Sequence, residues 1–355
     1  NGAVLAGDLF NLYVFVEIAS IASYALVAFG TGGREVEAAF KYLILGAVAS
    51  ASILLGIGLI YAATGLLNMA AVGTAVAAGG IPETTLLAAT ALFLAGLGLK
   101  AAMMPFHAWL PDAHPSAPAP ISAMLSGVLI KALGVYTIMR IMFNIIGRHE
   151  LISAILMFLG ALSMVIGGLL AVGQKDFKRM LAYSSISQMG YVLIALGLAL
   201  KPGAEMVVAA LALIGGLFHL VNHAVFKSLL FLASGAVEYR TGTRDLGQLG
   251  GLIKKMPVTG AATAIGSLSI AGIPPFNGFW SKLILVFAAV QAGFYWLAAA
   301  TVLVSLVTLI SFLKIQRYVF LGETPENLEQ TKEHRGSMLA AMAFLACLCL
   351  LMGLL

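Results

Sequence analysis

Four lysines stand inside long apolar runs: Lys100, Lys131, Lys227 and Lys282. One carboxylate does the same, Glu17 in Phe15-Val16-Glu17-Ile18-Ala19. His219 and His223 precede Lys227 at steps of four, which stacks three titratable groups on one helix face over about 12 Å. A lysine in such a setting is pulled two ways. Burial favours the neutral amine, and a nearby carboxylate favours the ammonium. A group held between these pulls changes protonation when its carboxylate moves, so the chemistry to expect is proton transfer. Imidazoles in the same line can hand protons on through water.

Each of these groups has a plainer reading beside it. Glu17 could simply anchor a neighbouring helix. His219 and His223 could ligate a metal, but no third ligand lies near in sequence, and the lysine on the same face opposes a cation. No metal and no cofactor is therefore expected. Pro105 ends the run that carries Lys100, and His107, Asp112 and His114 follow it as candidate intake or coupling residues. For Asp112 and His114 the alternative is a polar loop at the surface. Ser122 and Ser126 precede Lys131 and could hold water beside it. Lys282 follows a second break, Pro274-Pro275-Phe276-Asn277-Gly278.

The elements that position these residues follow from composition. Of the 355 residues 61% are apolar and 10% charged, against about 25% charged in soluble domains. Mean hydropathy is +1.01. That is an all-α polytopic membrane protein, with spans of roughly 20 apolar residues. Ten spans are read: 9–30, 36–63, 85–108, 119–147, 151–173, 179–199, 204–236, 257–290, 294–320 and 337–354. The sequence pI of about 9.2 does not indicate nucleic acid, because the basic residues sit in short loops. Thirteen of the 20 Lys and Arg fall on alternate connections, Arg34, Lys175, Lys178, Arg179 and Arg335 among them, and only Arg140, Arg148 and Lys201 on the others. The crowded side is expected to be cytoplasmic and both ends of the chain outside. Lys178 and Arg179 read as a basic edge, Arg244 and Asp245 as a surface pair, and Thr324 to Arg335 as a solvated loop. Cys347 and Cys349 read as apolar filler. The chain opens on Asn1-Gly2-Ala3-Val4 with no charged leader, as the tail of a preceding helix and so as a piece of a longer protein.

The sequence also repeats. Ala38-Ala39-Phe40-Lys41-Tyr42-Leu43 resembles Ala224-Val225-Phe226-Lys227-Ser228-Leu229. Ser23 to Gly30 resembles Gly190 to Gly197, and Met104-Pro105-Phe106 resembles Pro274-Pro275-Phe276. The matches keep their order, and the span count reverses their direction across the membrane. Inverted repeats with interrupted helices are a transporter architecture. The expected division is a first half-channel over 1–147, a second, inverted one over 148–320, and a loop with a final span over 321–355.

These motifs resemble a known family. Gly7-Asp8-Leu9-Phe10-Asn11-Leu12 followed by Glu17, Lys100 with Pro105-Phe106-His107-Ala108-Trp109-Leu110-Pro111-Asp112-Ala113-His114, and Lys131 look like the antiporter-like membrane subunits. That family includes the large membrane subunits of respiratory complex I, Mrp-type sodium/proton antiporters and membrane-bound hydrogenases. Asp176 to Gly190, the His219-His223-Lys227 series and Gly272-Ile273-Pro274-Pro275-Phe276 with Lys282 match it too, so the similarity covers the whole chain. Lys282 stands where some complex I members carry glutamate. The resemblance implies that Glu17 and Lys100 pair in the first half-channel and that Lys131 connects the halves. His219, His223 and Lys227 would carry the proton on, and Lys282 would end the second half-channel. It implies other membrane subunits as partners, protons or sodium as cargo, and the plasma membrane of a prokaryote. A non-catalytic role within an oxidoreductase, hydrogenase or antiporter complex is expected. The alternative is a quinone-reactive membrane subunit. Family members usually have about 14 helices, and the expected shortfall lies at the N-terminus.

Overall fold

The computed structural model of the chain describes residues 1–334 and 336–354; Arg335, counted above on the basic side, lies outside them. The described residues form fourteen helices: α1 (Gly2–Leu5), α2 (Leu9–Val27), α3 (Gly33–Thr64), α4 (Met69–Ala77), α5 (Glu83–Lys100), α6 (Leu110–Ser116), α7 (Ala119–Ile146), α8 (Glu150–Gly173), α9 (Phe177–Ala199), α10 (Met206–Thr241), α11 (Pro257–Ala271), α12 (Asn277–Gln291), α13 (Tyr295–Phe320) and α14 (Ser337–Leu354). Among the described residues, nine are long and apolar enough to cross a membrane. The chain is an all-helical polytopic membrane protein.

Two expected spans end differently. The one drawn over 257–290 is split into α11 and α12, each of only 15 residues. Gly272, at φ +79°, stops α11 in a conformation that a Cβ resists, and Pro274 and Pro275 cannot rebuild the hydrogen-bond ladder. Gly278 then lets α12 start hard against α11, since a Cβ there would overlap the Ser269 carbonyl oxygen. The span drawn over 85–108 stops at Lys100, and the chain turns through 101–109 into the short α6. α7 runs unbroken, but is π-helical over Leu125–Val135 around Lys131. Such wider turns recur at functional positions.

The starts of α2 and α9 are built alike. Asp8 accepts hydrogen bonds from the Phe10 and Asn11 amides at 2.9 and 3.0 Å, and Asp176 from the Arg179 amide at 2.8 Å. These caps satisfy amides a helix start leaves open. Each aspartate also lies in a short antiparallel bridge to a later segment. Leu9 N donates to Leu67 O and Met69 N to Gly7 O, both at 2.9 Å. Phe177 N donates to Arg244 O at 3.1 Å and Leu246 N to Lys175 O at 2.9 Å. The bridge partners Asn68 and Asp245 are themselves helix caps.

Candidate functional site

The charged residues of the spans gather in three places. In the first, α5 carries Lys100 to α2 and α3. Its Nζ donates to Glu17 Oε1 at 2.9 Å, Ser20 Oγ at 2.8 Å and Ser50 Oγ at 3.0 Å. Ser50 also donates to Glu17 Oε1. The lysine is buried, while the Glu17 side chain remains 22% exposed. Tyr24, 3.5 Å from Nζ, meets Tyr42 edge-on, and Tyr42 stacks on Trp109 at 4.0 Å between centroids. Trp109 Nε1 donates to Leu99 O at 2.8 Å, so the break after Lys100 is tied back onto the helix it leaves. An ammonium with three donors thus has its partners supplied by a carboxylate and two hydroxyls.

In the second place, the π-helical stretch of α7 holds Lys131, fully enclosed, with Nζ donating to Ser126 O. Ser126 Oγ lies 3.0 Å from Ser185 Oγ on α9. His223 on α10 is buried, and neither of its ring nitrogens has a hydrogen-bond partner among the described residues. His114 is in the same position under the Phe231 ring, 4.5 Å away. Ring nitrogens left so would lose about 1–3 kcal/mol each. Ser122 turns away from Lys131 and donates to His114 O at 2.8 Å.

The third place lies in α9, α10 and α12. His219 has both ring nitrogens engaged, Nδ1 with Ser281 Oγ at 3.0 Å and Nε2 with Gln188 Oε1 at 3.1 Å. Lys227 donates to Leu181 O at 2.6 Å and to Ser184 Oγ. Lys282 donates to Ile270 O at 2.8 Å, across the helix break, and lies 4.8 Å from the centre of the Tyr191 ring. It also lines an apolar cavity of about 240 Å³ between α12 and α13. His107 stands apart, with Nδ1 3.3 Å from Pro105 O of its own turn. Asp112 pairs with Arg179 at 3.0 Å and Lys41 at 3.3 Å, joining α6 to α9 and α3.

Two expectations need correction. Lys178 is not part of a solvated edge: it is buried and pairs with Glu238 at 2.8 Å. Arg244 does not pair with Asp245, which caps Gly247; it meets Asp176 at 3.1 Å and Glu238 at 3.2 Å. The 324–334 stretch is exposed or half-buried apart from Leu328, as a solvated loop would be, and Glu333 within it accepts from the Val258 and Thr259 amides at 2.8 and 3.2 Å and caps α11. Sequence reasoning also missed Asn222 and Asn277, which exchange Nδ2–Oδ1 (3.1 Å) and Nδ2–carbonyl (3.0 Å) hydrogen bonds and clasp the break to α10. A polar amide one step from His223, and another directly after the proline break, were the available signals.

A family profile described as "NADH:quinone oxidoreductase/Mrp antiporter, TM" matches residues 6–308. The chain belongs to this family. Within it, an NADH-quinone oxidoreductase subunit N of Desulforudis audaxviator is 41% identical over 329 residues, which is 92% of this chain and 63% of that protein. The D-type component of a Na(+)/H(+) antiporter from Alkalihalophilus pseudofirmus is 38% identical over 356 residues, covering 99% of this chain and 70% of the relative. A chain in the Mrp complex structure from Dietzia sp. superposes with a TM-score of 0.87 at 35% identity, over all of this chain and 72% of that one. The family's members thus include subunits of redox and antiporter assemblies, and this chain spans about two thirds of their length.

Proposed function

We propose that this chain is a proton-translocating, or sodium/proton antiporting, membrane subunit of a larger redox-driven or Mrp-type complex. The observation that carries the reading is the Lys100 ammonium, buried between α2, α3 and α5 and held by Glu17, Ser20 and Ser50. With Glu17 in place the lysine keeps its proton. Drawing the carboxylate away leaves only hydroxyl partners and releases the proton toward Lys131. His223, His219 and Lys227 pass it on through bound water, and Lys282 ends the line. Four intramembrane lysines cost at least about 2.5 kcal/mol each at a helix centre, which a purely structural scaffold would not retain.

The two half-channels are residues 1–147 and 148–320, opposite in direction. The matching aspartate caps and bridges of α2 and α9, and the breaks after Lys100 and Ala271, support that division. The protein sits in a prokaryotic plasma membrane beside other membrane subunits, with its basic loops cytoplasmic. Sodium is a cargo by analogy with the antiporter relative alone.

The test uses the assembled complex in sealed vesicles. Lys100→Ala, Lys227→Ala and Lys282→Ala are each expected to abolish coupled ion movement while the complex still assembles. Normal ion movement in all three would overturn the reading.

A further inference from the structure

We propose that Glu238 and Lys178 form a second carboxylate–lysine pair, which takes protons from an aqueous cavity and loads them into the second half of the molecule. The proposal rests on the translocation reading above and names a site that reading does not use. The two pairs share one build. Lys100 and Lys178 have side chains each 3% exposed, and their carboxylates, Glu17 and Glu238, are 22% and 35% exposed. The separations are 2.9 and 2.8 Å. No carboxylate takes the place of Glu17 in α9; the matching stretch carries Ser184 and Ser185, so the second half must find its carboxylate elsewhere.

Glu238 stands near the end of α10 and lines a cavity of about 690 Å³ at the loop-rich side of the helices. Among the described residues, the charged and titratable groups around the pair are Asp176 from the start of α9, Tyr239 beside Glu238 on α10, Arg244 beyond α10, Arg34 and Glu35 from α3, and His334 before α14. Arg244 holds Glu238 at 3.2 Å and Asp176 at 3.1 Å, so it orients the carboxylate without closing the cavity. On the inner side Lys178 Nζ donates to Ala117 O at 3.1 Å, just beyond α6. His114 lies in α6, buried, both ring nitrogens without a partner among the described residues. Its ring packs on Phe231, and Lys227 Nζ sits 5.8 Å from the centre of that same ring. The path therefore runs from cavity to Glu238, Lys178, His114 and Lys227.

The step balances without electrons. Lys178 gives one N–H proton through water to a His114 ring nitrogen and becomes a neutral amine. Glu238 takes one proton from hydronium in the cavity and passes it to Lys178, which restores the ion pair. One proton enters, one leaves, and the pair is unchanged.

The test is Glu238→Gln in the assembled complex in sealed vesicles, with coupled proton movement followed at several pH values and with added formate. The cavity admits formate, which can deliver protons in place of the lost carboxylate. Coupled movement is expected to fall at least tenfold, to recover severalfold with millimolar formate, and to rise as pH falls on the cavity side. An assembled Glu238→Gln complex with wild-type movement, or with a loss that neither formate nor pH relieves, overturns the proposal. Should Glu238→Gln fail to assemble, Glu238→Asp decides: a shifted pH profile supports intake, and an unshifted one overturns it. Lys100→Ala measured alongside separates the two claims. If it stops movement while Glu238→Gln does not, only this inference fails; if it, Lys227→Ala and Lys282→Ala all leave movement intact, the translocation reading fails.

Discussion

α2 and α9 begin on the same device, a capping aspartate bridged to a distant cap, and they then part. In α9, 94% of the core stretch is buried; in α2 the figure is 33%. α9 is enclosed because α8 lies along it at glycine spacing. A Cβ on Gly190 would collide with Gly160 O and Met164 N, and Gly160 and Gly167 sit as close in return. Along α2 the outward residues Phe10, Phe15, Ile18 and Ile21 are exposed, and Glu17 is partly so. The enclosed helix holds its lysine, Lys227, with a carbonyl and a hydroxyl; the peripheral one supplies a carboxylate. A charge partner thus stands where an outside neighbour can reach it, and neutral partners stand where none can.

That contrast can be broken in several places. The largest effect is expected from Glu17→Gln, which should lower coupled ion movement by at least about tenfold, the rate equivalent of about 1.4 kcal/mol. Ser184→Ala should change it less than twofold. Equal losses in both, measured in the same vesicles, would mean that Lys100 and Lys227 are tuned alike. Gly190→Val should destabilise the helix pair by about 3 kcal/mol through overpacking, seen as a lowered Tm of the detergent-purified complex. Ser23→Val at the matching position of α2 is expected to cost less, because α2 has fewer close neighbours. Asn222→Ala removes one side of the amide clasp and leaves Asn277 short of a partner, at a cost of about 2 kcal/mol. A Tm unchanged by it would show that the break in the second half is held without the clasp. Smallest is Asp8→Ala, expected to cost about 1 kcal/mol as a lost cap. Asp176→Ala should exceed it, since Asp176 also holds Arg244.

The parts of this picture that composition and period control were open to sequence reading. Apolar runs of span length marked the helices, and charges inside them marked Glu17, Lys100, Lys131, Lys227 and Lys282. The Glu17–Lys100 contact, across 83 residues, was implied by the family resemblance; burial and charge alone marked the two residues without naming the partner of either. Lys178 was misread because it stands beside Arg179 and Lys175 at the start of a helix, where basic residues ordinarily meet water. Its partner Glu238 lies far downstream, next to a stretch, Tyr239 to Asp245, dense in turn and charge signals. Asn222 and Asn277 carry no charge, so nothing in a hydropathy pattern distinguishes a clasp from a solvated amide. The short α4 and α6 were absorbed into loops, since 9 and 7 residues leave too little period to read. The split of the span over 257–290 was foreseen at the prolines, but its two 15-residue pieces become separate helices only because Gly272 and Gly278 allow the backbone to turn there.

The partial exposure of Glu17 sets the permittivity that the first pair feels. At 2.9 Å the Lys100–Glu17 attraction is about 6 kcal/mol in a medium of effective permittivity about 20, and about 1.4 kcal/mol in bulk water. Whatever lies against the outer face of α2 therefore sets the strength of the pair without touching the lysine. An apolar helix tightens it, and a file of water slackens it. On the function proposed above, the first half-channel is then governed from its rim, by a change in dielectric rather than a change in contact.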